Sequence, residues 1–150
     1  MNDYPREDKP LIVCLADNTQ VRGMVNIAGR TAVGVIEDTG PDLVLYEARS
    51  GVGMPLTTVF IAKNQIVWIA PAEDGENLEG HGEMQKVRFK LANGEVITGK
   101  VDSSGFERLS DYFNACHQRF YEIHEASFTD RTYEVLYVRV QQVLWKEPID

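Results

Sequence analysis

The chain has 150 residues, of which 43% are hydrophobic and 25% are charged, and its formal net charge is -8. These values are typical of one globular domain or two very small ones, and they exclude a collagenous or low-complexity chain. The most apolar stretch, residues 59–72, is interrupted by Lys63-Asn64-Gln65 and is shorter than the roughly 20 residues of a membrane-spanning helix.

The start of the chain and its cysteines indicate the cellular compartment. The first ten residues are polar and include Pro5 and Pro10, which is unlike a secretory signal. Cys14 and Cys116 are far apart in sequence, so we expect reduced thiols and no disulfide framework. The sequence therefore predicts a cytoplasmic protein with no membrane partner.

An internal repeat divides the chain into two modules. The pattern Leu-Ala-[Asp/Asn]-x-x-x-[Val/Ile]-x-Gly-x-Val begins at Leu15 and again at Leu91. Further matching sites follow in the same order and at nearly constant spacing: Arg30 and Arg108, Glu47-Ala48 and Glu125-Ala126, Gln65-Ile66-Val67-Trp68 and Gln142-Val143-Leu144-Trp145, Pro71 and Pro148. Such a spacing predicts a duplication of one structural unit.

The repeat predicts four segments. They are a flexible N-terminus over residues 1–10, module A over 11–72, an acidic Gly-rich linker over 73–84, and module B over 85–150. The linker contains five acidic residues and no basic residue, so most of the net negative charge lies there and the modules are nearly neutral.

Within each module the hydrophobic pattern predicts β-strands. In module B, apolar residues alternate with basic ones from Lys86 to Leu91, and Asn93-Gly94 then suits a tight hairpin turn. The returning strand continues the alternation, with Ile97, Gly99 and Val101 facing inward. Several short strands on about 65 residues favour a small, strongly bent five-stranded barrel, because closure removes exposed strand edges.

These patterns resemble known families of small barrels. The order of elements is similar to that of an Sm-like barrel: the strand pattern comes first, then a middle strand, and then residues 61–69. This order occurs twice in the chain. Module B also resembles an uncharacterised bacterial family marked by Arg-Leu-Ser-Asp-x-x-Asn, here Arg108 to Asn114, followed by Phe120 and Glu125-Ala126. The resemblance implies a mainly β fold with two tandem small five-stranded Sm-like or SH3-like barrels, and it carries no established activity. Module A has residues 30–36 in place of the motif.

The family motif also has a structural interpretation. Leu109, Tyr112 and Phe113 share one face of a helical turn, and Ser110 and Asp111 are residue types that cap helix starts. We therefore predict a short helical turn in the second barrel. The motif residues to which we assign this structural role are Arg108, Leu109, Ser110, Asp111 and Asn114.

An enzyme is one alternative, with a site near Ser110 and Asp111 served by His117 or His124. Module A has no equivalent set of residues, which argues against this site. Ligand-type side chains also cluster here, but without the CxxC or paired-histidine spacing of a structural metal site: Cys116, His117, Glu122, His124 and Glu125. The sequence therefore predicts no metal and no cofactor.

The first alternative, ahead of the enzyme, is a nucleic-acid or nucleotide-binding Sm-like module. Four basic residues lie on two adjacent strands of module B: Lys86, Arg88, Lys90 and Lys100. The net charge of -8 opposes binding to phosphate, and the signatures of RNA-binding Sm-like proteins are missing. Lys63-Asn64 and Arg139-Val140 stand where those proteins carry a basic residue followed by Gly.

The favoured prediction, an interaction or scaffold protein, rests on a difference between the modules. Module A has Ile12, Cys14 and Met24 at the outward positions that hold Arg88, Lys90 and Lys100 in module B. This apolar patch should be covered by module B or by another subunit, unless the strand register slips by one residue. We therefore expect a non-enzymatic interaction or scaffold protein that self-associates through barrel faces or edges, or that binds another protein.

Overall fold

The structure is a computed structural model that describes residues 6–51, 53–72 and 83–149. The chain divides into two compact units, Met1–Glu73 and Asp74–Asp150. The described residues form ten antiparallel strands and two short helices, which confirms the prediction of a mainly β protein. No helix in these residues is long and apolar enough to cross a membrane.

Unit 1 contains five strands and one helix. Their bounds are β1 Asp8–Leu15, β2 Gln20–Asn26, α1 Ala32–Ile36, β3 Asp42–Arg49, β4 Thr57–Ala62 and β5 Ile66–Pro71. A single 3-10 turn, Lys63–Gln65, joins β4 to β5. The buried Lys63 holds this turn in place, since its ammonium group donates a hydrogen bond to the carbonyl oxygen of Asp38 at 2.7 Å.

Unit 2 repeats the same succession of elements. Their bounds are β6 Met84–Leu91, β7 Val96–Asp102, α2 Leu109–Ala115, β8 Phe120–Ser127, β9 Thr132–Arg139 and β10 Val143–Pro148. The equivalent 3-10 turn, Val140–Gln142, joins β9 to β10.

Strand pairing follows one order in both units. It is β5-β1-β2-β3-β4 in unit 1 and β10-β6-β7-β8-β9 in unit 2, so each unit places its last strand beside its first. Among the described residues, no ladder joins β4 to β5 or β9 to β10, the pairs that would close a five-stranded barrel. The structure therefore shows an open five-stranded ladder in each unit.

Two segment bounds differ from the prediction, and one helix was not predicted. Strand β1 begins at Asp8, inside the segment expected to be flexible, because this part of the chain pairs along β2 up to Asn26. Strand β6 begins at Met84, inside the expected linker, where Met84 pairs with Asp102. The rest of that linker lies almost entirely outside the described residues. A helix also occurs in unit 1, where none was expected, because the hydroxyl of Thr31 caps α1 by accepting a hydrogen bond from the Gly34 backbone at 3.0 Å.

The two hairpins that begin the units share a turn with left-handed backbone. Asn18 has a φ of 70° and Gly94 has a φ of 97°, at equivalent places in the repeat. Asparagine and glycine tolerate this conformation better than other residues do. The predicted Asn93-Gly94 turn is thus present, and unit 1 achieves it without glycine.

A glycine in the second strand of each unit packs directly against the third. A Cβ atom at Gly23 would lie 2.8 Å from the Cβ atom of Ala48, and one at Gly99 would overlap the side chain of Ile123. Beside this contact, Glu47 and Glu125 both adopt a φ of 49°, and the strand pairing shifts register there. The register shift bends β3 and β8, and the glycines let the bent strands approach.

The remaining core consists of residues that alternate along the strands and face the same side. In unit 1 they include Leu11, Val13, Val21, Val25, Leu43, Leu45 and Ile61, and in unit 2 Val87, Phe89, Leu91, Ile97, Val101 and Ile123. All of these side chains are almost fully buried. The predicted inward set of β7 is therefore confirmed.

We expect the substitution Gly99→Ala to destabilise the protein by about 1–3 kcal/mol, since the added methyl group would overlap Ile123 and approach the backbone of β8. Urea unfolding measures this free energy. Gly40→Ala is the matched control, because nothing lies within 4 Å of a Cβ at Gly40. Equal stability of the two variants would contradict the packing role of Gly99.

Candidate functional site

The four basic residues of β6 and β7 form the first candidate surface, and carboxylates already engage two of them. The Arg88 guanidinium lies 2.7 Å from a carboxylate oxygen of Glu147, and the Lys100 ammonium lies 2.6 Å from one of Glu125. Lys90 donates a hydrogen bond to the carbonyl oxygen of Gly94 at 3.1 Å. Lys86 is exposed, directly across the ladder from Lys100.

These ion pairs reduce the positive charge that the surface can offer to a polyanion. The hydrogen bond from Lys100 lowers the pKa of the Glu125 carboxyl below its usual value, and the positive charge of the same side chain lowers it further. Glu125 therefore stays ionised across the physiological range. The surface carries alternating charges, which weakens the case for phosphate binding.

The helix that contains the Arg-Leu-Ser-Asp segment is capped differently from the prediction. Arg108 is the N-cap residue of α2, and no side chain hydrogen-bonds to cap this helix, so the predicted capping by Ser110 and Asp111 was wrong. Asp111 instead accepts a hydrogen bond from the Arg108 guanidinium at 3.2 Å, within one turn. Ser110 and Asn114 are exposed, and Leu109 is half-buried.

Helix α2 supplies aromatic rings to a cluster at the surface of unit 2. The ring of Phe113 makes edge contacts with Phe89 at 6.4 Å and Tyr121 at 5.5 Å between centroids, and Tyr112 contacts Phe106 at 5.8 Å. The motif therefore anchors a helix by aromatic packing.

A cation lies over this cluster. The Lys146 ammonium of β10 is 4.7 Å from the ring centroid of Phe113 and 5.7 Å from that of Tyr121. Burial, together with the charge of the neighbouring Cys116 thiolate, raises the pKa of the Tyr112 phenol to about 12. Burial also raises the pKa of Tyr121. Both phenols thus stay protonated, and the cluster acts as an apolar surface with one cation on it.

The enzyme alternative would need Ser110 or Asp111 to contact a histidine. In the part of the chain that the structure describes, no hydrogen bond joins Ser110 to His117 or to His124, and the carboxylate of Asp111 is paired with Arg108. In the same ranges, no group of three or more His, Cys, Asp or Glu side chains is placed to hold a metal ion.

The apolar outer patch of module A has the predicted orientation. Ile12 pairs with Arg22 and Cys14 with Gln20, on the face opposite the inward residues of β2, so the register does not slip. Ile12 is only 6% exposed and Cys14 only 2% within the single chain, and Met24 is half-buried. Two of the three residues proposed as an interface are therefore not available to a second subunit in this state.

Large apolar side chains that remain exposed lie elsewhere. The structure exposes Met54, Leu56, Phe60, Val96, Leu144 and Trp145. Phe60 belongs to β4, Leu56 directly precedes that strand, and Leu144 and Trp145 belong to β10. Sequence analysis missed these positions because Phe60 and Trp145 read as ordinary β-strand residues, and only the burial of their neighbours shows which side faces water.

Comparison of the chain with protein-family models, with curated proteins and with solved structures finds no match.

The raised pKa of Tyr112 predicts how stability depends on pH. Folding raises this pKa from 10.0 to about 12, so folding favours the protonated phenol. The stabilising contribution is complete below pH 10 and is lost as the pH rises toward about 12. We expect Tyr112→Phe to flatten the fall in unfolding free energy over this interval, as measured by urea unfolding at successive pH values. An unchanged fall would contradict the assignment to Tyr112.

Because carboxylates already pair with Arg88 and Lys100, we predict no detectable binding to RNA. At about 50 µM protein and low salt, within the range of non-specific affinities, we expect no binding to short single-stranded RNA by fluorescence anisotropy. The double variant Glu125→Gln, Glu147→Gln releases Lys100 and Arg88 and should bind more strongly. Tight binding by the unmodified protein would instead favour the nucleic-acid alternative.

Proposed function

We propose that the protein is a non-enzymatic interaction or scaffold protein, built from two small Sm-like barrels, that self-associates through strand edges. The support for self-association is the concentration of exposed apolar side chains on two strands. Phe60 of β4 is 68% exposed, and Leu144 and Trp145 of β10 are 62% and 45% exposed. Large apolar residues grouped on a strand edge are typical of interaction sites.

Three features support the barrel part of the proposal. Each unit uses the same strand order, which places the first strand beside the last. Each also has a register shift with a left-handed residue, Glu47 or Glu125, and a glycine that permits close strand approach. Such bends are what a small barrel needs in order to curve five short strands around one core.

A cytoplasmic location completes the proposal. Neither Cys14 nor Cys116 forms a disulfide bond, and reduced cysteines are typical of proteins in a reducing compartment. The burial of Cys14 also protects its thiol from oxidants.

We expect self-association of the purified protein in the micromolar range. Sedimentation equilibrium over about 1–100 µM should give a weight-average mass that rises with concentration above that of one chain. Ile12→Glu is not a suitable probe of the interface, because Ile12 is buried and the charge would destabilise the fold itself. A mass equal to one chain at every concentration would refute the proposal.

A further inference from the structure

Two arginines lie directly opposite each other on the outer face of unit 1. Arg22 of β2 pairs across the ladder with Arg49 of β3, and both side chains are exposed. Directly opposite residues of an antiparallel pair have their Cβ atoms about 5 Å apart, so like charges at such a site destabilise the pair. The two guanidinium groups therefore repel each other unless an anion lies between them.

Neither guanidinium has a partner within the part of the chain that the structure describes. No ion pair, side-chain hydrogen bond or ring contact involves Arg22 or Arg49 there. Glu47 lies on the bulge of β3 beside the pair, and it forms no ion pair with either arginine in these residues. Other arginines do have carboxylate partners: Arg6 with Asp8, Arg30 with Asp38, Arg88 with Glu147, Arg108 with Asp111, and Arg131 with Glu95.

The duplication shows that the fold does not require this pair. Thr98 of β7 and Ser127 of β8 occupy the equivalent ladder position in unit 2. Small hydroxyl side chains thus fit the same backbone position without repulsion. Because the arginines cost stability on their own, their presence in unit 1 is accounted for by an anion that binds between them.

A phosphate monoester fits two guanidinium groups better than a carboxylate does. A guanidinium is a planar fork, and one fork already engages both oxygens of a carboxylate. A terminal phosphate has three free oxygens and a charge of about −1.5 to −2 at pH 7. Two forks can therefore share one phosphate.

The next ladder position offers an apolar contact to the rest of such a ligand. Met24 lies opposite Tyr46 on the same outer face as Arg22, and both side chains are half-buried. The Arg6 guanidinium lies 4.5 Å from the centroid of the Tyr46 ring and is itself paired with Asp8. A short apolar surface therefore begins one ladder position away from the arginine pair.

We propose that Arg22 and Arg49 form a binding site for a terminal phosphate monoester on the outer face of β2 and β3. The site goes beyond the proposed self-association and does not depend on it. The phosphate is carried by a small phosphorylated molecule or by a phosphorylated side chain of a partner protein, and both present the same group. A phosphodiester carries only one negative charge, so the site is compatible with the expected absence of RNA binding.

Titration with phenyl phosphate tests the site, because this compound joins the phosphate to a ring that can contact Met24 and Tyr46. In phosphate-free buffer at low salt, we expect the unmodified chain to bind it with a Kd of about 1 mM or lower, measured by calorimetry. The Nε–H resonances of Arg22 and Arg49 should shift in NMR spectra during the titration. Phenyl sulfate has a similar shape and one charge, so it should bind at least about 5-fold more weakly.

The residues of unit 2 supply replacements that the fold should tolerate. Arg22→Thr and Arg49→Ser install the side chains that the equivalent ladder position holds in unit 2. We expect each substitution to weaken the binding of phenyl phosphate at least about 10-fold, since each removes one charge-assisted pair. Arg88→Thr is the matched control, because it removes the same charge from unit 2 and should leave the binding unchanged. Without ligand, the double variant should be at least as stable in urea as the unmodified chain, because the repulsion is removed.

A lysine pair separates recognition by the guanidinium forks from attraction by charge alone. The double variant Arg22→Lys, Arg49→Lys keeps both charges and loses both forks. We expect it to bind phenyl phosphate more weakly than the unmodified chain and more tightly than the Thr and Ser double variant. It also replaces that variant if circular dichroism shows that the latter is unfolded.

A peptide that contains phosphoserine distinguishes the two sources of the phosphate. Binding at least about 10-fold tighter than that of phenyl phosphate supports the site with a partner protein as the source. Weaker gain or none supports the site with a small phosphorylated molecule as the source.

Three results would overturn the inference. The site is wrong if the unmodified chain does not bind phenyl phosphate at about 10 mM, or if the Thr and Ser double variant binds it as tightly as the unmodified chain. Equal binding of phenyl sulfate would show that the ligand is not a phosphate monoester. None of these results bears on self-association, which the sedimentation experiment tests separately.

Discussion

The close contact between the second and third strands determines the form of both units. Gly23 lies against Ala48, and Gly99 lies against Ala126 and Ile123, with no space for a Cβ atom on either glycine. Beside this contact, Glu47 and Glu125 add a residue to the ladder in left-handed backbone, and the register shift bends β3 and β8. The bend that results brings the fourth strand into position and directs its side chains.

In unit 1, the first strand is buried on both faces. Four successive residues of β1, Leu11 to Cys14, are buried, although strand alternation directs them to opposite sides. In unit 2 the equivalent outward positions hold Arg88 and Lys90 at the surface. Arg88 forms an ion pair with Glu147, and Lys90 donates a hydrogen bond to the carbonyl oxygen of Gly94. Charged side chains are compatible with water on that face, and apolar ones are compatible with burial. Duplicated units have thus acquired different outer faces on one backbone.

Large exposed apolar side chains lie on strands rather than on the Arg-Leu-Ser-Asp segment. The motif residues of α2 pack aromatic rings or pair with one another, and no group of three or more His, Cys, Asp or Glu side chains in the described residues is placed to hold a metal ion. Exposed apolar surface remains instead on β4 and β10.

The amino-acid sequence by itself determined the strands, the hairpin turns and the duplication, because alternation and turn chemistry depend on residues close together in the chain. It did not indicate α1, whose cap depends on a single Thr31 hydroxyl, nor the ion pairs of Arg88 and Lys100, which join residues distant in sequence. Trp68 and Trp145 show the limit most clearly. Their local sequences match, yet one is completely buried and the other is 45% exposed. Only the tertiary structure decided this difference, because the exposure of a side chain depends on what covers it and not on its neighbours in sequence.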